Sequence, residues 1–187
     1  TNQTKTYCRK TGGSMTTGCL IFAYDSDIAY GPQAVLAAAF VIKNLDIPVS
    51  LVTDSATLSK LTDYKIFQNI FIREVGEVSN TRILNGKNLV WKNTNRSSAY
   101  DLTPYDRTLV IDSDFLVFSN VLKTYLESDY DFMICPGMTN LHPDRPNQIL
   151  LDPASIPMLW ATNIIFNKTK EVRAIFDLVD YIKENWI

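Results

Sequence analysis

Residues 107–118 constrain this chain most, because an apolar run rich in strand-forming residues ends there in two carboxylates one residue apart, Asp112 and Asp114. Two carboxylates held close together in a partly buried place repel each other and raise each other's pKa unless a cation neutralises them. Mg²⁺ and Mn²⁺ take oxygen ligands and usually complete their shell with water and substrate phosphates. The pattern therefore predicts a divalent cation at a strand end and a phosphorylated substrate.

The alternative is that Asp112 and Asp114 are only polar residues of a turn, where Asp and Ser are common. The apolar run resumes directly after them, at residues 115–118, so the carboxylates interrupt hydrophobic sequence on both sides. An unpaired charge buried in such a place is costly, and this favours the cation site over the turn.

Composition sets broad limits on fold and location. The 187 residues are 46% hydrophobic with a net charge of −2, which fits one globular domain and argues against non-specific nucleic-acid binding. The longest apolar stretch, near residues 34–42, is far shorter than the ~18 residues of a membrane span. The three cysteines lack CxxC spacing and favour reduced thiols in the cytoplasm. His142 is the only histidine, which argues against a catalytic triad or a multi-histidine metal site and leaves carboxylate chemistry.

The domain organisation is simple. Residues 1–14 are polar and aperiodic and end in Gly12, Gly13 and Ser14 before Met15, so we expect an artificial leader or a disordered segment. No repeat or linker divides residues 15–187, for which we expect a single catalytic domain.

Strand-like and helix-like segments alternate along that domain, which predicts an α/β fold with a mainly parallel sheet flanked by helices. The expected strands are 18–24, 48–53, 66–73, 108–111, 132–135 and 159–166. The expected helices are 32–45, 57–61, 97–102, a segment capped by Ser119 and ending at 126, and 169–186. Residues 74–95 have no regular pattern and predict a mobile loop near a site, with Trp91 either a stacking platform or part of the core rim.

Acidic side chains follow three of the expected strands. Asp25 and Asp27 follow the first, Asp54 the second, and the Asp112 and Asp114 pair a later one. Ligands of parallel α/β sheets bind at the carboxyl ends of strands, so we expect these acids to meet at one site.

Three segments together resemble one enzyme family. They are Ile21 to Asp27, Tyr105 to Asp114 with its Tyr-Asp, strand and Asp-x-Asp, and Trp160 to Asn167. Over residues 19–187 the chain resembles the GT-A glycosyltransferases, which have a Rossmann-like nucleotide-diphospho-sugar transferase fold, and especially the retaining enzymes related to glycogenin and the bacterial lipooligosaccharide galactosyltransferases. The resemblance implies transfer of a hexose, glucose or galactose, from a UDP-sugar with retention of configuration.

The resemblance also implies roles for individual residues. Asp112 and Asp114 would bind Mn²⁺ or Mg²⁺ and act in catalysis. Other catalytic candidates on the face of the sugar are Asn163 and Asp152, together with Gln148. The candidates for binding the donor nucleotide are Ala23, Tyr24, Asp25, Asp27, Asp54, Arg96 and Ser113, with Lys92 as a further cation. Asp25 in particular would contact the uracil.

Two features of the family are not recognisable in this sequence. Related enzymes supply a C-terminal histidine as a third metal ligand and a Gly-Lys pair for the diphosphate, and Trp160 and Thr162 stand where Asn and Gly are usual. His142, followed by Pro143 in a loop-like context, is a poor substitute for the missing ligand. We therefore expect either a minimal version of the fold or a chain shortened after Ile187.

Other functions fit parts of the same pattern. In a phosphohydrolase of the haloacid-dehalogenase type Asp112 would be a nucleophile and Asp114 a general acid. A nucleotidyltransferase would use Gly13 and Ser14 with Asp25 and Asp27. A degenerate transferase domain would bind a nucleotide sugar without turning it over. The acceptor class is open among a glycan, a protein, a lipid-linked sugar and modified DNA.

Overall fold

The computed structural model of the protein describes residues 15–74, 80–84, 87–91, 96–135 and 160–186. The strands are β1 (Thr17–Phe22), β2 (Val49–Thr53), β3 (Asn69–Ile72), β4 (Asn80–Leu84), β5 (Lys87–Trp91), β6 (Arg107–Asp112), β7 (Phe132–Cys135) and β8 (Trp160–Asn167). The helices are α1 (Tyr30–Leu45), α2 (Ser55–Lys60), α3 (Ala99–Leu102), α4 (Val121–Leu126) and α5 (Lys170–Trp186), with short 3₁₀ turns at Tyr64–Ile66 and Arg96–Ser98.

Six of these strands form one sheet in the order β3-β2-β1-β6-β8-β7. The first four of them run parallel, and β8 is antiparallel to both of its neighbours. Strand β7 therefore points the same way as the parallel strands. The mainly parallel α/β sheet predicted from the alternating pattern is confirmed.

The segment expected to be an irregular loop contains regular structure, so that prediction is wrong in part. Strands β4 and β5 pair antiparallel as a separate two-stranded sheet. In the sequence Asn85 and Gly86 stand between them, and Asn-Gly between strand-like runs is a strong hairpin signal. The polar composition of the segment masked that signal.

Several boundaries differ from the expected ones by a few residues. Helix α1 begins at Tyr30, and Pro32 lies in its first turn, where a missing N–H costs nothing. The observed strand β3 is shorter than the expected strand 66–73, because a 3₁₀ turn precedes it and backbone pairing begins at Asn69. The cap position of α4 is Asn120, without a side-chain hydrogen bond, and Ser119 Oγ accepts a 3.5 Å hydrogen bond from Val121 N at the start of the helix.

The core lies on both faces of the central strand β1. Cys19 and Ile21 pack with α1 on one face, and Leu20 and Phe22 pack with α3 and α5 on the other. This follows from the alternation of side chains along a strand, and it explains why β1 is apolar throughout. Within the described part of the chain, no helix is long and apolar enough to cross a membrane.

Candidate active site

The carboxyl ends of β1 and β6 lie side by side at the centre of the sheet. From β1 the chain continues to β2 and β3 on one side, and β6 lies on the other, so this is the point at which the strand order reverses. Phe22 at the end of β1 is paired in register with Asp112 at the end of β6. A crevice outside the strand ends at such a reversal is the usual ligand site of an open α/β sheet.

Asp112 has a cationic partner within the protein. The Arg96 guanidinium forms a short ion pair through Nη2 with Oδ1 of Asp112, and its Nη1 donates to the carbonyl oxygen of Ala161 at 2.8 Å. Both side chains are largely buried, with 18% of Arg96 and 25% of Asp112 exposed. Burial lowers the pKa of Arg96, and the negative charge of Asp114 acts against that shift. Arg96 thus joins β6 to the beginning of β8.

The other members of the Asp-x-Asp segment differ in exposure. Ser113 is buried and Asp114 is exposed, in a turn closed by a 3.1 Å hydrogen bond from Phe115 N to Asp112 O. Asn163, half-buried on β8, pairs in register with Ile111, one residue before Asp112. The antiparallel pairing of β8 with β6 therefore places Asn163 opposite Ile111, one position along β6 from Asp112.

The donor set at this turn fits a hard divalent cation in part. Two carboxylates one residue apart supply the oxygen ligands that Mg²⁺ and Mn²⁺ prefer, and water and phosphate commonly complete the shell. Among the described residues there is no cluster of three or more His, Cys, Asp and Glu side chains that could enclose a metal. A cation held here would therefore depend on ligands from its substrate.

Asp25 has a structural role at the start of α1. Its Oδ1 accepts a 2.8 Å hydrogen bond from Gly31 N in the first turn of the helix, whose own N-cap residue, Ala29, provides no side-chain cap. Its backbone N–H donates to Thr57 Oγ1 at 2.8 Å, and Lys60 Nζ lies 3.8 Å from Oδ2. Asp25 thus accepts a hydrogen bond from a helix N-terminus, and the positive charge of Lys60 lies near its carboxylate.

The remaining predicted donor residues line the same edge of the sheet. Asp54 caps α2 by accepting a 2.7 Å hydrogen bond from Thr57 N, and the Ala23 N–H donates to Val52 O at 3.0 Å. Tyr24 is buried, and its hydroxyl oxygen has no hydrogen-bond partner among the described residues. Burial, with help from the nearby Asp54 carboxylate, raises the pKa of Tyr24. Asp27 is exposed.

The Tyr-Asp pair that precedes β6 lies at the opposite end of the strands from the site. Tyr105 is buried, with its hydroxyl group 2.7 Å from Ser50 Oγ, and the Asp106 carboxylate accepts from the backbone N of Thr16 at 2.8 Å. Tyr105 therefore ties the start of β6 to β2, and Asp106 ties it to the chain just before β1. In this protein their part in the motif is structural.

Arg107, the first residue of β6, is a buried residue that sequence reasoning missed. Its guanidinium donates to the carbonyl oxygens of Tyr125 and Tyr130 and to Asn167 Oδ1. Burial lowers its pKa, and the charges of Asp131 and Asp129 counteract the shift. An arginine at a strand start has no sequence signal that separates this role from a solvated cation.

Some predicted site residues cannot be placed. Asp152, Gln148, His142 and Lys92 lie outside the described residues. Trp91 ends β5, and its side chain is not among those described.

A groove of about 1140 Å³ lies beside the edge strand β3 and the end of α1. Strands β2 and β1 lie between β3 and β6 in the sheet. The walls of the groove are mainly apolar, including Ile47, Ile66 and Ile70, and it contains none of the predicted site residues. The volume of this groove therefore gives no support to the site at the strand reversal.

The architecture is that of the GT-A class of glycosyltransferase folds, as the resemblance predicted. The chain matches the solved structure of the glycosyltransferase GlyE from Streptococcus pneumoniae TIGR4 at a TM-score of 0.54 and 12% identity, covering 91% of this chain and 39% of that one. It matches the LgtC mutant Q189E at a TM-score of 0.57 and 15% identity, covering 89% of this chain and 64% of that one. The structure of mouse xyloside xylosyltransferase 1 matches at a TM-score of 0.53 and 10% identity, covering 89% of this chain and 72% of that one.

These similarities concern the fold. The chain spans 39% of the length of GlyE and 64% of the length of LgtC. No protein-family model matches the sequence, and no curated protein matches it. The structural matches therefore show a glycosyltransferase-type fold at a sequence identity of 10% to 15%.

Proposed function

We propose that the protein is a metal-dependent glycosyltransferase that moves a hexose from UDP-glucose or UDP-galactose to an acceptor, with retention of anomeric configuration. The observation that carries the proposal is the ion pair of Arg96 with Asp112, two residues before Asp114, at the strand reversal of a glycosyltransferase-type sheet. One LgtC structure similar to this chain is a complex with donor and acceptor sugar analogues, and it supports a sugar-nucleotide donor here.

The proposed roles of Asp112, Asp114 and Arg96 follow from their positions at and beside the end of β6. Asp112 and Asp114 would hold Mn²⁺ or Mg²⁺, which when bound neutralises charge developing on a leaving diphosphate. Arg96 supplies a second positive charge suited to phosphate oxygens. Asn163 and Asp152 are proposed to face the sugar.

The edge formed by β1 and β2 is proposed to bind the nucleoside. Ala23, Tyr24, Asp25, Asp27 and Asp54 follow these two neighbouring strands, on the side of β6 opposite to Asn163. The cytoplasmic location predicted from the cysteine pattern belongs to the same proposal.

The first test is calorimetric titration of UDP and of GDP, each with and without Mn²⁺. We expect UDP to bind only with Mn²⁺, and Asp112→Asn or Asp114→Asn to weaken binding at least about tenfold, because each removes one charged ligand oxygen. Asp46→Asn is the matched control. Asp46 is an exposed residue in a left-handed conformation at the end of α1, which asparagine also adopts.

The outcomes separate the alternative functions. UDP binding that is independent of Mn²⁺ and of both carboxylates would refute the proposed metal dependence. Binding without release of UDP from a UDP-sugar would favour a nucleotide-sugar-binding module, and phosphatase activity that requires Asp112 would favour the hydrolase. For an active enzyme, NMR of the product decides retention, since an α-linked donor must give an α-linked product.

A further inference from the structure

The Asp112 carboxylate already has a counter-ion in the protein. Arg96 pairs with its Oδ1 in a place where less than a third of either side chain is exposed. The hydrogen bond from Arg96 Nη1 to the Ala161 carbonyl oxygen holds the guanidinium in this position. A divalent cation that binds Asp112 is therefore close to the Arg96 guanidinium, whose positive charge is held in contact with the same carboxylate.

The positive charge of Arg96 at this turn weakens the binding of a cation alone. Asp112 and Asp114 with Arg96 carry one net negative charge, and a divalent cation would change that to one net positive charge. A diphosphate bound next to the cation would make the site negative again. Positive charge accumulates when the cation binds alone and is removed when a diphosphate binds with it.

The Arg96 side chain has the chemistry to serve both partners. A guanidinium binds carboxylate and phosphate oxygens with the same planar set of donors. Its Nε–H is buried and has no hydrogen-bond partner among the described residues. A buried donor without a partner is costly, and an acceptor that reached it would recover that free energy.

We propose that Arg96 and the divalent cation compete for Asp112, so that Arg96 makes cation binding depend on the diphosphate of the donor. This inference rests on the proposed function, because it assumes a nucleoside diphosphate as the second ligand. Before the donor binds, Arg96 neutralises the Asp112 carboxylate and opposes the binding of a cation without donor. When the diphosphate arrives, its oxygens offer the guanidinium an alternative partner to Asp112.

The test measures Mn²⁺ binding by the loss of the free-ion EPR signal, with and without UDP. We expect Arg96→Met to bind Mn²⁺ alone about tenfold more tightly than the unmodified chain, because a unit charge near the ion has been removed. UDP should tighten Mn²⁺ binding strongly in the unmodified chain and much less in Arg96→Met, and Mn²⁺ should have the same effect on UDP affinity. Arg96→Lys keeps the charge but not the planar donor set, so its affinity for Mn²⁺ alone should remain below that of Arg96→Met.

Two further variants make the result specific. Arg173→Met removes an exposed arginine from α5, where its partners are Asp101 and Asp177, and should leave both affinities unchanged. In an Asp112→Asn background, Arg96→Met should tighten Mn²⁺ binding much less, because the competition for the Asp112 carboxylate is absent and only the repulsion by the Arg96 charge is relieved. Circular dichroism checks that each variant is folded, and Arg96→Gln replaces Arg96→Met if the latter does not fold.

The outcomes distinguish this inference from the proposed function. If Mn²⁺ and UDP bind together but Arg96→Met leaves the affinity for Mn²⁺ alone unchanged or weaker, the competition is refuted and the transferase proposal stands. If the unmodified chain binds no UDP under any condition, both are refuted. Tighter binding of Mn²⁺ alone, with weaker coupling to UDP, supports the competition.

Discussion

Aspartates in similar sequence positions have different roles in this protein. Asp25 and Asp54 each follow a strand, and each accepts a backbone N–H in the first turn of the next helix. Asp112 follows a strand too, but it pairs with the side chain of Arg96. The next element decides the role, because a helix N-terminus offers unpaired N–H donors and the turn after β6 does not.

Gly18 in β1 lies so close to a neighbouring side chain that no larger residue fits without a shift. A Cβ atom added there would lie 2.3 Å from Cζ of the buried Tyr105. We expect Gly18→Ala to displace the ring and break the 2.7 Å contact of its hydroxyl group with Ser50 Oγ. Overpacking of this kind lowers the free energy of unfolding by about 1–3 kcal/mol, which urea denaturation can measure.

Gly31→Ala is the comparison for that variant. A Cβ atom at Gly31 would lie 2.9 Å from Cδ2 of Leu61, the far end of a flexible side chain that can move. We expect a smaller loss than for Gly18→Ala. Equal losses would show that the contact with Tyr105 is not the cause.

At the scale of elements, α5 closes one face of the sheet with only part of its apolar surface. Val172 and Phe176 are buried, and the Phe176 ring contacts those of Tyr100, Phe132 and Phe166. Among the described residues, Leu178 lies on an adjoining apolar stripe of the helix that is exposed. The helix is therefore held by a few aromatic contacts.

This arrangement predicts unequal effects of two truncations in one helix. Phe176→Ala should lower the free energy of unfolding by about 3–5 kcal/mol, because it removes a buried ring and leaves a cavity. Leu178→Ala removes a side chain that is 58% exposed and should change stability little. Thermal and urea denaturation of the two variants measure the difference. A large loss for Leu178→Ala would contradict the exposure of that face.

At the scale of the whole molecule, the sheet order places Cys19 at the centre. It lies in β1 between β2 and β6, with no exposed surface, and burial raises the pKa of its thiol above the ordinary value of 9.0. A thiol that is protonated and enclosed reacts only when the sheet opens. Its reactivity therefore reports unfolding of the domain.

We expect iodoacetamide to label Cys19 at least about a thousandfold more slowly in the native protein than in concentrated urea. Mass spectrometry of the peptide containing Cys19 gives both rates, and a Cys19→Ala variant identifies that peptide. The raised pKa favours the folded state below pH 9.0 and this contribution is lost as the pH rises further, so labelling should speed up there. Similar rates in the native and unfolded protein would contradict the central position of Cys19.

Much of the architecture was predictable from local pattern. The apolar runs predicted six strands at or within a few residues of their observed places, since burial on both faces of a parallel sheet requires continuous hydrophobic sequence. The Asn-Gly between β4 and β5 was also a local signal, and it was overlooked. The resemblance of three short segments then predicted the fold that the structural comparisons confirm.

The sequence by itself determined the alternation of elements, the apolar core strands and the carboxylates at strand ends, because each of these depends on neighbouring residues. Only the tertiary structure decided that Arg96 pairs with Asp112, that Asn163 lies beside Ile111, and that Arg107 is buried. The physical reason is that these contacts join residues 16 to 60 positions apart. The order and direction of the strands set such contacts, and no local pattern encodes them.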